Sequence, residues 1–413
     1  MTDQSQPEAV VAAKKGGKRG AANPEAAAAA GAAGAGAPAK QNQQSKLSVS
    51  RGFANWLGSV KASLAFTSYQ TGQLFLVGLR NDKKVSFNQQ NLVRAMGVHA
   101  SGNRLMVGGL AQIWRLENIL RRNETANEHF DRVYIPRAAL TTGDVDIHEL
   151  SLDRYGRIIF VNTKYSCLAT PSMVHSFKPL WKPKHISKLA AEDRCHMNGL
   201  CMVDGLPKYV TMVSRSDVLN GWRERRHEGG TLIEIATNRI VTDQLSMPHS
   251  PRFHDGKIWL LDSGRGFLIK VDPETGKSED VAFCPGFLRG LSIHRGFAVV
   301  TASLPRDGTF QGLQLDQNIK SRDGEPWCGI YVINTRTGDI VEWIKIDGFI
   351  KELFDVAVIP GARCPMSIAI GSPEVQSMIS IEEGFAEIEI KSPANAGGLT
   401  AATGAKIPAP AGG

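Results

Sequence analysis

The chain of 413 residues holds only six cysteines, at positions 167, 195, 201, 284, 328 and 364, and no two of them form a C-x-x-C pair. Most sit inside or beside apolar strands, so they read as buried reduced thiols of a cytosolic protein and not as a disulfide framework or a zinc ribbon. A continuous run of about 18 strongly apolar residues is also missing, which leaves no candidate for a spanning helix. The Ala/Gly stretch from Ala21 to Ala39 is too weakly apolar to serve as one. The opening MTDQSQPEAVVAAKKGGKRG lacks an apolar core of the secretory type, and the chain is expected to be cytoplasmic. Helical periodicity is scarce, with Leu110–Arg122 and Asn318–Asp323 the two candidates for short helices. No G-x-S-x-G, Walker, zinc-finger or H-E-x-x-H pattern occurs, and LDSGRG at 261–266 is a Gly-rich turn without the βαβ unit of a dinucleotide site.

Positive charge is unevenly spread. Of the net +8, +4 lies in residues 1–60 and +2 in residues 391–413. Residues 1–46 are Ala, Gly, Gln and Lys, and residues 391–413 are Ala, Gly and Pro, with few large apolar side chains in either. Such composition cannot offset the entropy of ordering, so both tails are expected to be disordered. The body between them is nearly neutral, and a specific nucleic-acid partner is not expected.

What the chain does have is a repeat. MPHSPRFHDGKIWLLDSGRGFLIKVDPETG, from Met247, returns in degraded form as HELSLDRYGRIIFVNT from His148, NGLCMVDGLPKYVTMV from Asn198 and RGLSIHRGFAVVTA from Arg289. MGVHASGNRLMVGG from Met96 and FDVAVIP from Phe354 are further copies, and the aligned positions Met96, His148, Asn198, His249, Arg289 and Phe354 are spaced by 52, 50, 51, 40 and 65. Self-similarity near 50 residues with several short strands per unit points to a β-propeller. Strands are read at 158–161, 209–213, 231–235, 257–261, 267–271, 297–301 and 329–333, bounded by turns such as DPETG and NTRTG. SLAFTSYQTGQLFLVGLRNDKKVSF, 63–87, lacks an inner-strand copy, while the unit at Phe354 has little else. The two ends therefore complete one blade between them, which removes open sheet edges. The expected fold is an all-β propeller over 47–390, of six blades with seven as the alternative.

The first strand of each blade lines the channel, so its starting residue lies at the channel mouth. These residues are Met96, His148, Asn198, His249, Arg289 and Phe354, with Asp355 adjacent, and Asp146 and His196 two residues upstream on their strands. Three readings fit this ring. A divalent metal would take His148, Asn198 and His249 with a carboxylate from Asp146 or Asp355. An anion would take Arg289 and Arg252, with His249 as acid or base. The third reading is structural, with polar groups satisfying one another and buried water. Alternation from His249 directs Arg252 away from the channel, towards a neighbouring blade, where it would pair with a carboxylate or carbonyl groups. The long segment SRSDVLNGWRERRHEGG, 214–230, reads either as a lid carrying Trp222, Arg223, Arg225 and Arg226 or as a solvated loop.

SLAFTSYQTGQL, HMNGL at 196–200, SRSDVLNGW and MPHSPRFHDGKIWLLDSGRG carry a resemblance, from about Ser63 to Ile370, to an uncharacterised bacterial family of propeller-like proteins. More distantly, the Asn-Gly-Leu strand start and the D-x-G-x-φ-W turns are similar to the gluconolactonase and strictosidine-synthase-like six-bladed group. That resemblance implies a divalent ion at the channel mouth held by carboxylate and amide side chains, with Asn198 on the matching Asn-Gly. The expected function is a metal-assisted hydrolase or lyase acting on a small anionic substrate, with Arg289 and His196 as catalytic candidates. The alternative is a non-catalytic propeller that binds a small molecule or a peptide.

Overall fold

The computed structural model describes residues 9–12 and 44–382. Six blades surround a central channel, each with four antiparallel strands or more. Five inner strands are Val98–Ser101, Ile147–Leu152, Met197–Val203, Pro248–His254 and Phe287–His294. The closing blade takes its inner strand, Val356–Pro360, from the end of the propeller and its next three, Ala62–Ser68, Gln73–Leu79 and Val85–Asn91, from the beginning. Val356 pairs with Phe66 and Pro360 with Ala62, so neither chain end leaves a blade unfinished.

Two blades gain strands at the rim. Gln44–Val49 pairs with Ile340–Gly348, Ala9–Ala12 pairs in turn with Gln44–Val49, and Pro365–Ser367 runs parallel to Arg132–Thr141. Within the segment 1–46, then, both Ala9–Ala12 and the residues from Gln44 onward are strand, and the blades take in chain from before residue 47. The rest of that segment, and residues 391–413, lie outside the described residues. The propeller unit ends at Met378, and the described residues beyond it, 379–382, carry no regular structure.

The expected helices need correction. Gln112–Asn118 is a strand, not part of a helix over Leu110–Arg122. A register shift between Arg115 and Leu116 breaks its alternation, so Ile113 and Leu116 are both buried three residues apart and imitate helical spacing. The helix near Asn318–Asp323 is Gln314–Lys320. A helix that sequence reading passed over, Phe53–Val60, buries Phe53, Trp56, Leu57 and Val60 against the closing blade, at the i, i+3, i+4, i+7 spacing of one apolar face. Among the described residues, no helix is long and apolar enough to cross a membrane.

A repeated irregularity shapes the channel. Register shifts fall between Ile147 and Leu150, Met197 and Gly199, His249 and Arg252, and Leu288 and Leu291, near the start of four inner strands. Just before inner strands, Arg94, Asp146, His196 and Met247 all adopt left-handed backbone, with φ of 53°, 58°, 49° and 49°. Each such residue costs roughly 1–2 kcal/mol, and it turns the chain so that the next residues re-aim into the channel. Simple alternation therefore fails at the mouth.

One level below, glycine alternates with polar residues from blade to blade: Gly97, Glu149, Gly199, Ser250, Gly290 and Asp355. A Cβ on Gly290 would lie 2.6 Å from the Val356 nitrogen, so only glycine lets the next strand approach there. The polar residues bond onward to the following blade. Glu149 accepts the Leu200 N–H at 2.7 Å, Ser250 donates to the Arg289 carbonyl at 2.7 Å, and Asp355 accepts the Val98 N–H at 2.9 Å. Close packing and hydrogen bonds thus take turns around the axis.

Candidate functional site

His148, His196, His249, Arg289 and Phe354 lie together at one end of the channel. The His148 ring lies 4.8 Å from His196 and 5.2 Å from Phe354, both edge-to-face. The His249 ring packs edge-to-face on Phe287 with centroids 5.7 Å apart, and the Arg289 guanidinium lies 4.8 Å from that same ring. Met96, at the remaining aligned position, is buried.

The two equivalent histidines are held alike. His148 Nδ1 is 2.8 Å from Thr163 Oγ1 and 3.3 Å from the Asp146 carbonyl. Thr163 donates its hydroxyl proton to the Met197 carbonyl at 2.6 Å, so Nδ1 of His148 must carry the proton they share. His249 Nδ1 lies 2.8 Å from the Met247 carbonyl and 3.0 Å from Ser263 Oγ. A carbonyl only accepts, so this Nδ1 is protonated too. Burial pushes His148 down to about 4, against the raising effect of Asp146. Burial, then Arg289 and His148, hold His249 well below the usual imidazole range. Both rings are neutral at pH 7, with the lone pair on Nε2.

His196 differs. Burial disfavours its charged form, but the Asp193 carboxylate at 2.8 Å from Nδ1 outweighs that and raises its pKa. The same Asp193 oxygen accepts the Trp222 indole N–H at 2.8 Å, and the indole stacks on His196 with centroids 4.1 Å apart. Thr163, Ser263 and Asp193 were not singled out from the sequence, although Thr163 and Ser263 follow equivalent strands fifteen and fourteen residues after their histidines.

Arg289 is framed by aromatic rings, its guanidinium 4.8 Å from Phe287, 5.2 Å from Tyr69 and 5.7 Å from Phe354. Its polar contacts are long: Nη1 reaches Ser303 Oγ at 3.4 Å, the Leu353 carbonyl at 3.5 Å and Glu352 at 3.6 Å. Burial lowers its pKa and the Glu352 charge opposes this. Glu352 also serves Tyr69 and Arg306. Asn198 accepts from Thr211 Oγ1 at 2.9 Å through Oδ1, while its buried Nδ2 has no protein partner among the described residues.

Of the five residues considered as metal ligands, Asp146 and Asp355 are committed to other partners. Asp146 is bound to Arg94, whose guanidinium also meets Asp144 at 3.2 Å. Asp355 faces the level below, where its carboxylate accepts the Val98 and Val356 N–H groups at 2.9 and 2.8 Å. Among the described residues, no three His, Cys, Asp or Glu side chains form a cluster able to hold a metal ion. All six cysteines are free and buried, and burial pushes the thiols of Cys167, Cys195 and Cys201 up to about 12. None is poised as a thiolate nucleophile.

Arg252 pairs with a carboxylate and a carbonyl of other blades, but inside the channel and not away from it. The register shift between His249 and Arg252 brings its guanidinium into the deeper channel, paired with Glu149 from two blades away and bonded to the Leu200 carbonyl at 3.3 Å. A cavity of 290 Å³ opens there, lined by Glu149, Arg252 and His99 among residues of all six blades. Burial and then the neighbouring Glu149 raise Asp355 to about 7. Burial raises Glu149 as well, with Arg252 opposing.

Fold and site together define a six-bladed β-propeller with a histidine- and arginine-bearing channel mouth. Residues 51–368 match the domain of unknown function DUF4915, and the chain belongs to that family. No curated protein matches it. Among solved structures, a chain of the crystal structure of the nidogen/laminin complex is similar over 73% of this chain and 99% of its own, at 10% identity and a TM-score of 0.45.

Proposed function

We propose that the channel mouth binds a small anionic molecule through Arg289. The observation that carries this reading is the guanidinium itself: largely buried, framed by three aromatic rings, and, among the described residues, offered acceptors only at 3.4 Å or more. A carboxylate or phosphate oxygen at about 2.8 Å would be a better partner than any of these. Asn198, at the aligned position of another inner strand, has a further buried donor, Nδ2, without a partner among the described residues. The neutral His148 and His249 supply Nε2 lone pairs, which suit a general base or an acceptor for a ligand hydroxyl.

A second reading, metal-assisted hydrolysis or lyase chemistry, is supported by one feature. His148 and His249 each give Nδ1 to a backbone carbonyl and His196 gives it to Asp193, the arrangement that frees Nε2 for a metal. Metal content of protein purified without chelator or a histidine tag tests it. About one equivalent would support the reading, and less than a tenth with no uptake on titration would end it.

The anion reading is tested by calorimetric titration of the full chain with inorganic phosphate and with succinate. We expect saturable binding of at least one, weakened tenfold or more in Arg289→Gln. Equal binding by the variant would assign the heat to the basic tails, and no binding by the wild type would overturn the reading.

A further inference from the structure

We propose that Trp222 is a gate over the channel mouth, and that the segment carrying it must swing out before the histidines can be reached. This inference rests on the mouth being the binding site. His148 and His249 stand at an open end of the channel, yet they are only 8% and 4% exposed. One of the groups covering the mouth is the Trp222 indole, stacked on His196 and tied to Asp193.

The segment is an insertion. Two blades make the same connection between second and third strands with residues 163–166 and 263–266, while this blade uses 213–229. Its tip holds no core: Val218 and Leu219 are 65% and 63% exposed. Its outer attachments are polar and at the solvent edge. Arg226 bonds to Gln311 of the other long loop at 2.8 Å, and the Asn220 N–H to the Glu192 carbonyl at 3.0 Å.

Water can replace the bonds to Gln311 and to the Glu192 carbonyl at little cost, since both lie at the surface end of the segment. Asp217, held by Arg194, anchors the base at 2.6 Å, so the moving part is the stretch beyond it. Asn220 has left-handed backbone at φ 50°, Gly221 follows it, and Gly229 and Gly230 close the stretch. Glycine has no side chain to restrict backbone torsion, and Gly221 and Gly229 bound the stretch where hinges would lie.

The test uses diethylpyrocarbonate, which acylates a neutral imidazole, with mass spectrometry of the His148 and His249 peptides in the full-length protein. A gate predicts slow modification in the wild type, at a rate well above that of global unfolding. Trp222→Ala should raise the rate tenfold or more, and Trp222→Phe, which keeps a stacking ring, should stay within about threefold of wild type. Equal rates in wild type and Trp222→Ala would overturn the gate. So would a wild type that is modified only as fast as it unfolds, a comparison that holds even if Trp222→Ala does not fold. The readout needs no anion, so a failed phosphate or succinate titration would count against the binding reading and leave this result standing.

Discussion

Arg252 and Glu149 form an ion pair inside the channel although their inner strands are separated by an intervening blade. The pair spans that blade, and Arg252 also bonds to its Leu200 carbonyl while Glu149 accepts its Leu200 N–H. Three blades are thereby joined through two side chains and one backbone position. Glu149 is buried, so removing its partner leaves a poorly compensated carboxylate. Arg252→Ala should lose roughly 3–5 kcal/mol of stability in urea unfolding. The double variant Glu149→Gln, Arg252→Met should lose clearly less, because neither charge then remains. Equal losses would show that packing, not charge, is what the pair supplies.

Burial of Asp355 should make the stability fall as pH rises. Its folded pKa is raised to about 7 from 3.8, chiefly by burial and then by Glu149. Between these values the folded protein holds a proton that the unfolded chain has released. This contribution is complete below the unfolded value and is lost as pH rises through the folded one, with a slope of up to about 1.4 kcal/mol per pH unit. Asp355→Asn should flatten the fall in stability between roughly pH 4 and pH 7, seen as a smaller difference in Tm across that window. An unchanged profile would place the titration elsewhere.

The blades were legible because each copy begins with an apolar strand of similar length, and the mouth because His148, Asn198, His249 and Arg289 stand where apolar residues would be expected. The deeper channel was not. Placing Arg252 required knowing that the strand bulges after His249, where Pro251 has no N–H to give the ladder and Ser250 is left-handed at φ 48°, and simple alternation takes no account of either. The same blindness made Gln112–Asn118 look helical. Asp193 and Trp222 meet His196 from different segments, and such contacts across a fold leave no local pattern to read.

Gly290 tests the alternation of glycine and polar residues around the axis. A methyl group there meets the Val356 nitrogen at 2.6 Å and the Asp355 Cα at 2.7 Å, both backbone atoms that cannot rotate away. Gly290→Ala should cost about 2–3 kcal/mol through overpacking. Gly102→Ala is a poor control because φ is positive there. Gly371→Ala, with open space around it, should change stability by less than about 0.5 kcal/mol. A Gly290 variant as stable as wild type would mean the inner strands can separate without loss.

The account stands on Arg289 as an anion anchor, and anomalous diffraction sees that contact directly. Crystals grown with low-millimolar selenate, measured at the selenium edge, should show a peak within hydrogen-bonding distance of the Arg289 guanidinium in the wild type and none there in Arg289→Gln. A wild-type mouth without selenium, or an identical peak in the variant, would contradict it.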